Sequence, residues 1–323
     1  MFYGLLAAIG WGTSTTTAAI ALRRARAHVV VLFSQAVGVV FLVVLAVGTH
    51  APLLSVAGSA VVALVWAGLI GLLSYLAFYQ AVAIGSPGLM SAISSTYGGV
   101  AAVLAVVLLG ERLTWLGIAG VALAVLGIVL AAAGRGAPAP SPAPATVPSG
   151  GATDVGATDV GATDVGAMDV GAMDVGLKVR AGSPALAVSL ALLSALGYGV
   201  GGYLLGESSQ RSGWLMPGVI AHGTSVLALA GVLPLLRGRT GWRELSWATV
   251  GWMAIAGLAD AAALAAYSRG TQVGQVAITA AISSIYPVIP LAFGVLLLGE
   301  KLSRRQLAGI VIIIVGLVLL GLA

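Results

Sequence analysis

The chain has 323 residues, 59% of them hydrophobic and only 8% charged, and its mean hydropathy is +1.09. A soluble globular domain carries roughly 25% charged residues, so this composition excludes a soluble fold for most of the chain. The net charge of +5 does not indicate nucleic-acid binding, because the basic residues lie in short clusters between apolar segments. The absence of cysteine excludes a disulfide framework and cysteine-based metal sites.

The apolar segments are about 18 to 26 residues long, which is enough to span a hydrocarbon core roughly 30 Å thick. The first segment lacks the basic start of a signal peptide and is predicted to remain as a spanning helix. The sequence therefore predicts an all-α integral membrane protein with ten transmembrane helices, in chain order 3–21, 29–48, 59–83, 88–109, 115–133, 184–205, 214–236, 247–268, 274–298 and 305–322.

A segment of different composition, residues 135–183, separates two groups of five helices. It contains a Pro/Ala stretch, then the pentapeptide GATDV three times and GAMDV twice. Such a segment has too few large apolar residues to form a core and is predicted to be a disordered linker. A calcium-binding β-roll is the alternative, but the pentapeptides do not have its nonapeptide spacing.

The two groups of helices are related in sequence. Moving residues 85–113 by 189 positions places AISS-x-Y and LLGE on the same motifs in the second half, and a shift of 187 places Gly10-Trp11-Gly12 on Gly197-Tyr198-Gly199. Because each group has an odd number of spans, consecutive copies must enter the membrane in opposite senses. The sequence thus predicts two inverted five-helix repeats, residues 1–134 and 184–323, with a substrate site at the repeat interface.

The distribution of basic residues predicts the orientation. Loops that follow odd-numbered helices contain 12 of the 15 Lys and Arg residues, which leaves only Arg112, Arg211 and Arg269 on the opposite side. The positive-inside rule then puts both termini outside and the linker in the cytoplasm. The Ala/Val/Gly-rich composition is typical of a bacterial plasma membrane protein, so we expect a multi-pass protein of the cell membrane.

Three duplicated motifs carry a resemblance to a known family. They are the Trp-Gly of helix one, echoed as Tyr-Gly in helix six; the Ser-Ser-x-Tyr of 94–97 and 283–286; and the LLGE-[RK]-L of 108–113 and 297–302. In these the chain resembles the ten-helix EamA type of the drug/metabolite transporter superfamily. The resemblance implies proton-coupled or facilitative movement, often export, of amino acids, metabolites or drugs. The best-known members of this type have both termini in the cytoplasm, whereas the charges here predict the reverse.

Asp260 lies near the middle of the eighth helix, where an ionised carboxylate costs several kcal/mol and needs a partner, water or a raised pKa. Its counterpart in the first half is Leu72. An acid in only one half is not required by the packing of the repeat. We interpret Asp260 as a coupling site for a proton or cation, or as the anchor of a substrate ammonium. The alternative is an acid that simply bonds neighbouring hydroxyls.

Gln35 and His222 occupy corresponding positions and are polar residues in otherwise apolar helices, so both are expected to face the interior. Histidine can titrate near neutral pH, and a relay between His222 and Asp260 is a hypothesis. A histidine that merely satisfies its own hydrogen bonds is the alternative. Tyr267 follows Asp260 by seven positions and shares its helix face.

Aromatic residues inside the helices are interpreted as cavity lining, since a ring with a hydroxyl or indole donor suits amphipathic or cationic solutes. The candidates are Tyr97, Tyr286, Trp11, Tyr198 and Tyr75. The alternative, a belt at the membrane surface, fits another group better: Tyr3, Trp115, Trp214, Trp242, Trp247 and Tyr203.

The fourth and ninth helices contain residues that bend helices, because serine hydroxyls bond backbone carbonyls, and proline and glycine weaken the helix. A gating segment is the hypothesis and a static kink the alternative, for Ser94, Ser95, Gly98, Ser283, Ser284 and Pro287. Glu111 and Glu300 are expected to cap the next helix or to pair locally. Glycines in helices five and ten favour close packing, between the halves or between two copies in a homodimer.

No sequence motif of a hydrolase, a nucleotide-binding loop or a metal site is present. We therefore expect a secondary transporter, not an enzyme, that moves a small metabolite such as an amino acid, outward and with proton coupling, and that uses no cofactor or metal. Its expected partners are the solute, protons and the lipid bilayer, with no nucleic acid. The alternatives are an exporter of lipophilic cations and, in another class, a membrane-embedded enzyme or a scaffold.

Overall fold

The computed structural model describes residues 1–22, 24–51, 56, 58–84, 90, 93–133, 184–236, 245–289, 292 and 303–322. The expected linker, 135–183, and the second-half motif containing Glu300 lie outside the described residues. Within the described residues, the structure is helical with connecting turns and no strand. The predicted all-α class is therefore confirmed.

Ten α-helices form within the described residues, and a 3₁₀ turn, Leu233–Leu236, follows the seventh. Their bounds are α1 Phe2–Leu22, α2 Ala27–Gly48, α3 Gly58–Ile84, α4 Tyr97–Leu108, α5 Trp115–Ala133, α6 Pro184–Ser212, α7 Met216–Val232, α8 Trp247–Val273, α9 Val276–Ser283 and α10 Arg304–Leu322.

Helices α6 and α8 continue past the expected ends at Leu205 and Ser268. The expected ends were placed where the apolar run stops, but backbone hydrogen bonding continues through polar turns beyond it. Helix α6 stops before Gly213, whose φ of 85° is the left-handed conformation that commonly follows a helix end.

Five described helices are long and apolar enough to cross a membrane, and four other apolar helices are shorter in their described parts. The expected fourth and ninth spans, 88–109 and 274–298, extend into residues outside the described ranges. The structure thus supports a multi-pass membrane protein. The five spanning segments are Phe2–Leu22, Ala27–Gly48, Ala60–Ala81, Ala185–Ser212 and Trp247–Val273.

Helical structure is interrupted at the two places where the sequence has paired serines. Thr96 forms a turn just before α4, and residues 284–287 form turns directly after α9. The hydroxyls of Ser283 and Ser284 donate to the carbonyls of Ala280 and Ala281, at 2.9 and 2.7 Å. Side-chain bonds of this kind compete with the regular helix and bend it.

The helices of each half pack mainly on helices of the other half. Helices α1 to α5 correspond to α6 to α10, and the contacts between the halves occur in matching pairs. The contact of α1 with α8 is matched by that of α6 with α3, and the contact of α2 with α8 by that of α7 with α3. The contact of α1 with α9 is matched by that of α6 with α4. The pairs α2–α7, α4–α9 and α5–α10 also contact each other directly. A cavity enclosed by these helices is therefore lined by both halves.

Helix α10 packs extensively on α5 within the chain. A methyl group added at Gly127 would lie 2.7 Å from the carbonyl oxygen of Gly309, and one at Gly316 would lie 2.9 Å from that of Gly120. The glycines therefore bring the two backbones close together, as small residues do in membrane helix pairs. Of the two packing alternatives, the contact between the halves is the one present in this chain.

Glu111 does not cap the next helix. That role belongs to Thr114, whose hydroxyl accepts a hydrogen bond from the N–H of Gly117 at 3.1 Å. The Glu111 carboxylate instead accepts from the N–H groups of Val276 and Ala277, at 2.7 and 2.9 Å, and so caps α9 in the other half. Sequence spacing could not reveal this contact because it joins residues from different repeats.

Replacing Glu111 by Gln is expected to lower the free energy of unfolding by about 1 kcal/mol, the usual worth of a helix cap. The amide has one acceptor oxygen instead of two, and it loses the attraction between a negative charge and a helix N-terminus. Thermal unfolding of the purified protein in detergent measures the change. Glu207→Gln is the control, because its ion pair is with Arg211, whose side chain is 71% exposed, and a pair open to solvent on one side should contribute little. Equal melting temperatures for Glu111→Gln and the control would contradict the cap.

Candidate functional site

A cavity of about 150 Å³ lies between the two halves. An apolar cavity of roughly this volume can hold a ring the size of benzene. Helices α1 to α4 and α6 to α8 line it, together with one residue just after α9. The lining residues are Trp11, Ser14, Thr15, Ala18, Gln35, Ala67, Gly68, Gly71, Tyr75, Phe78, Tyr79, Tyr97, Gly197, Tyr198, Gly201, Gly202, Leu205, Ala221, His222, Ser225, Asp260, Leu264, Tyr267 and Tyr286.

Asp260 is the acidic residue of this wall, and only 5% of its surface is exposed. The Tyr75 hydroxyl donates to Oδ1 at 3.1 Å. At Oδ2, the Gln35 amide nitrogen donates at 3.4 Å, and His222 Nε2 lies at 3.1 Å. An ionised carboxylate only accepts hydrogen bonds, so with ionised Asp260 the proton of the imidazole is on Nε2. Four helices, α2, α3, α7 and α8, thus meet at one carboxylate.

Gln35 and His222, which correspond between the two halves, reach the same oxygen of Asp260 from α2 and α7. The sequence indicated that both were interior residues but could not establish that they met at Asp260. Their close approach depends on Gly38, one turn along α2 from Gln35. A methyl group added at Gly38 would lie 2.9 Å from Cδ2 of His222.

Gly38→Ala is expected to push the imidazole of His222 away from Asp260 and so to lengthen the hydrogen bond between them. The ring nitrogen chemical shifts of His222, measured in protein labelled only at histidine, should then change. Gly48→Ala on the same helix is the control, because a methyl group there meets no heavy atom of the described residues within 4 Å. Unchanged shifts in the Gly38 variant would contradict the described contact.

Aromatic rings surround the rest of the cavity. The ring of Trp11 lies 6.0 Å from that of Tyr97 and 5.5 Å from that of Tyr267, measured between centroids. Tyr198 lies 5.2 Å from Tyr75 and 6.4 Å from Tyr97. These separations are those of interacting aromatic pairs, so the rings form one connected wall.

Tyr286 extends this wall, with its ring 6.3 Å from that of Tyr97. The five tyrosines and the tryptophan that the sequence singled out are therefore within one site. Tyr267 lines the cavity, but its hydroxyl donates to the carbonyl of Gly202 at 3.0 Å and does not bond Asp260. This side chain links α8 to α6.

The serine pairs make contacts between the halves. The hydroxyls of Tyr97 and Ser283 are 3.0 Å apart, and Ser94 is a side-chain hydrogen-bond partner of Tyr286. The Ser94 hydroxyl also lies 2.8 Å from that of Ser194 in α6. The two helix interruptions are thus connected through reciprocal pairs of a tyrosine and a serine.

The remaining candidates for gating lie beside these pairs. Ser95 and Ser284 are fully buried, and Pro287 ends the turns after α9. Gly98 packs so closely on α9 that an added methyl group would lie 2.6 Å from the Ala280 carbonyl oxygen. All of them are placed around the two interruptions, outside the cluster that bonds Asp260.

Sequence reasoning missed several polar and small residues of the wall. Ser14 and Thr15 of α1 and Ser225 of α7 line the cavity. The signal was present in the run of serine and threonine from 13 to 17, which is unusual in a spanning helix. Small residues of α3 and α6, such as Gly71 and Gly201, leave the space for the cavity and carry no distinctive chemistry of their own.

The aromatic residues assigned to the membrane surface divide into two groups. Trp115 and Trp247 are 86% and 90% exposed at the starts of α5 and α8, as a surface belt requires. Tyr203 is buried, and Trp214 packs against the cluster around Leu42. Trp242 lies outside the described residues.

The charge in the wall has one sign. Asp260 lines the cavity, while no Lys or Arg of the described chain does so. The described residues also include no group of three His, Asp or Glu side chains able to hold a metal ion. Among the described lining residues, the charged group is therefore the carboxylate of Asp260, which has three hydrogen-bond partners and is surrounded by aromatic rings.

These features define a multi-pass, all-helical membrane protein with an internal cavity lined by both halves of the chain. Residues 1–133 and 185–322 both match the EamA-like transporter family. The chain belongs to this family, which is the ten-helix type of the drug/metabolite transporter superfamily, and it is therefore a membrane transporter.

A solved structure titled "Crystal structure of protein" has a similar fold. It is 15% identical in sequence, and the match has a TM-score of 0.70 and covers 99% of this chain and 96% of the other. At this identity the likeness concerns the fold alone. No curated protein matches the chain.

Proposed function

We propose that the protein is a secondary transporter that exports a small metabolite with an amino group, such as an amino acid, in exchange for protons. The observation that carries the proposal is the buried carboxylate of Asp260 in the wall of the cavity, hydrogen-bonded to His222. Ionisable residues inside membrane spans are costly and are typical of coupling and substrate sites.

Asp260 can serve both the proton and the solute because its ionised form attracts a cation and its protonated form does not. A proton that arrives at Asp260 would release a bound ammonium group, and a departing proton would restore the site. His222 Nε2 is 3.1 Å from Oδ2 of Asp260, so a proton can pass between the two side chains along this hydrogen bond. The cavity supplies the space, and no Lys or Arg among its described lining residues competes for the carboxylate.

The packing supports two inverted repeats, residues 1–134 and 184–323, joined by a linker at 135–183. If α1 to α5 correspond to α6 to α10, the α1–α8 contact predicts an α6–α3 contact, and the α1–α9 contact predicts an α6–α4 contact. Both predicted contacts are present. This relation is expected of repeats related by a two-fold axis, and the odd number of spans in each repeat is what favours the inverted form. Rocking of one half against the other would open the cavity to each side in turn.

The helix interruptions are the proposed hinges of this motion. Residues Ser94, Ser95 and Gly98 on one side and Ser283, Ser284 and Pro287 on the other surround positions where regular backbone bonding is broken. Broken helices at membrane depth are tolerated where protein buries them or where they line a cavity. The reciprocal tyrosine–serine pairs would connect the two hinges.

For location, we propose the plasma membrane of a bacterium, with both termini outside. The 12 basic residues in loops after odd-numbered helices support this orientation. Large apolar side chains such as Val44, Leu73 and Leu227 are 64%, 65% and 75% exposed, and would face lipid.

Flux through purified protein in liposomes tests the proposed function. Vesicles preloaded with a mixture of labelled amino acids and amines should lose one or more of them faster when a pH gradient is imposed. Empty liposomes and the Asp260→Asn variant are the controls. Flux no faster than in empty liposomes would overturn the transport proposal in favour of a scaffold or a membrane-embedded enzyme.

An exporter of lipophilic cations is the second candidate, and the aromatic wall together with the absence of described basic residues in it favours this candidate. Cations bind the faces of aromatic rings and would pair with Asp260. Cells that lack the protein should then become more sensitive to cationic dyes. Unchanged dye sensitivity combined with amino acid accumulation would favour the first candidate.

A further inference from the structure

Gln35 has a feature that coupling through Asp260 does not require. Its side chain lines the cavity and is 4% exposed, and its amide nitrogen donates to Asp260. The amide oxygen, Oε1, is buried, and no described residue is its hydrogen-bond partner. A buried acceptor left without a partner costs roughly 1 to 3 kcal/mol, so such an atom in a cavity wall calls for a donor.

The identity of this free atom follows from its neighbour. Asp260, when ionised, has only acceptor oxygens, so the amide atom that faces it must be the nitrogen. The amide oxygen is then the end left free. The last torsion of a glutamine side chain is soft, so a small rotation can direct Oε1 to a group beside Asp260.

The carboxylate also has room for one more donor. Oδ2 already has contacts with Gln35 and His222, whereas Oδ1 has the Tyr75 hydroxyl. A carboxylate offers about four lone-pair positions, so one position remains on Oδ1. The site thus presents a negative charge and two vacant acceptors, one on Asp260 and one on Gln35.

We propose that Gln35 is the specificity-determining residue that makes the site select a primary ammonium group over a fully alkylated one. A primary ammonium has three N–H donors and can bond Asp260 and Gln35 Oε1 together. A quaternary ammonium has the same charge and no N–H donor. It can make cation–π contacts with the aromatic rings of the wall, but it leaves Oε1 without a hydrogen bond. This inference rests on the proposed function, because it takes Asp260 as the anchor of the solute's charge.

Two matched probes test the inference, benzylamine and benzyltrimethylammonium, which share one ring and differ in the N–H donors. Their binding to the full-length protein in detergent is measured by calorimetry. The wild type should bind benzylamine about tenfold more tightly, the usual scale of one hydrogen bond to a charged group. Gln35→Met, which keeps the length of the side chain and removes the acceptor, should reduce that preference, and the part that remains should come from the N–H bonds of benzylamine to Asp260.

Gln35→Glu is the second variant and retains acceptor oxygens, so it should still favour benzylamine. A preference for benzylamine that is as large in Gln35→Met as in the wild type would overturn the role of Gln35, as would equal binding of both probes by the wild type. If neither probe binds, or if Asp260→Asn binds both as well as the wild type does, the proposed anchor fails as well. The ratio of the two affinities is the decisive quantity, because loss of the bond from Gln35 to Asp260 alters both probes alike.

Discussion

Asp260→Asn is expected to reduce proton-driven flux by about 10- to 150-fold. This factor corresponds to roughly 1.5 to 3 kcal/mol, the usual contribution of a hydrogen bond to a charged group, and the bond lost here is the one between the carboxylate and the solute's ammonium group. The amide has nearly the same shape but cannot take up and release a proton. Its partners Tyr75, Gln35 and His222 would remain in place. The residual flux should not respond to the pH gradient, because no ionisable carboxyl is left in the described wall.

Uptake into liposomes at several imposed pH gradients measures this effect. Glu207→Gln is the matched control, since it removes a carboxylate that pairs with Arg211 on α6 and does not line the cavity. Thermal unfolding of both variants checks that each is folded. Flux in Asp260→Asn that still rises with the gradient as in the wild type would refute the coupling role.

Gly12→Ala is expected to destabilise the protein by about 1 to 3 kcal/mol, the usual cost of overpacking, and to stop transport. An added methyl group at Gly12 would lie 2.8 Å from the Tyr286 carbonyl oxygen and would overlap the branched side chain of Ile289. Neither a backbone oxygen nor a β-branched carbon can move away easily. Helix α1 would therefore be displaced from the turns after α9, where the hinge is proposed.

Gly199→Ala should have the same effect in the other half. Its methyl group would lie 3.0 Å from the Tyr97 carbonyl oxygen and 2.5 Å from Cβ of Val100. Gly251→Ala on α8 is the control, because its methyl group meets no described heavy atom within 4 Å. Melting temperatures and liposome flux measure both effects. Variants at Gly12 and Gly199 that match the control would contradict the close helix contacts.

The close contacts of Gly12 and Gly199 explain why the Trp-Gly and Tyr-Gly pairs contain glycine, a reason that the sequence did not reveal. The Trp-Gly of α1 and the Tyr-Gly of α6 stood out by repetition, and their helix assignments followed from apolar run length. That Gly12 packs on Tyr286 and Gly199 on Tyr97 could not be deduced, because each contact joins one repeat to the other. Sequence similarity between the repeats indicates that they share a fold and does not specify which surfaces meet.

The same limit applies to the site. Asp260, His222 and Gln35 could be selected because polar side chains inside apolar helices are costly and few. Their meeting at one carboxylate depends on how α2, α7 and α8 pack, which no periodicity within one helix determines. Glu111 illustrates the converse, since local spacing suggested a cap on the next helix and the contact lies on α9.

The most direct test of alternating access at this cavity uses Ser14→Cys, a thiol in the cavity wall of a chain that otherwise has no cysteine. Membrane-impermeant thiol reagents are applied to either face of liposomes with protein of known orientation. The account predicts reaction from both faces, and none for Leu73→Cys, which is 65% exposed on the surface assigned to lipid. Reaction of Ser14→Cys from one face only, or from neither, would contradict it.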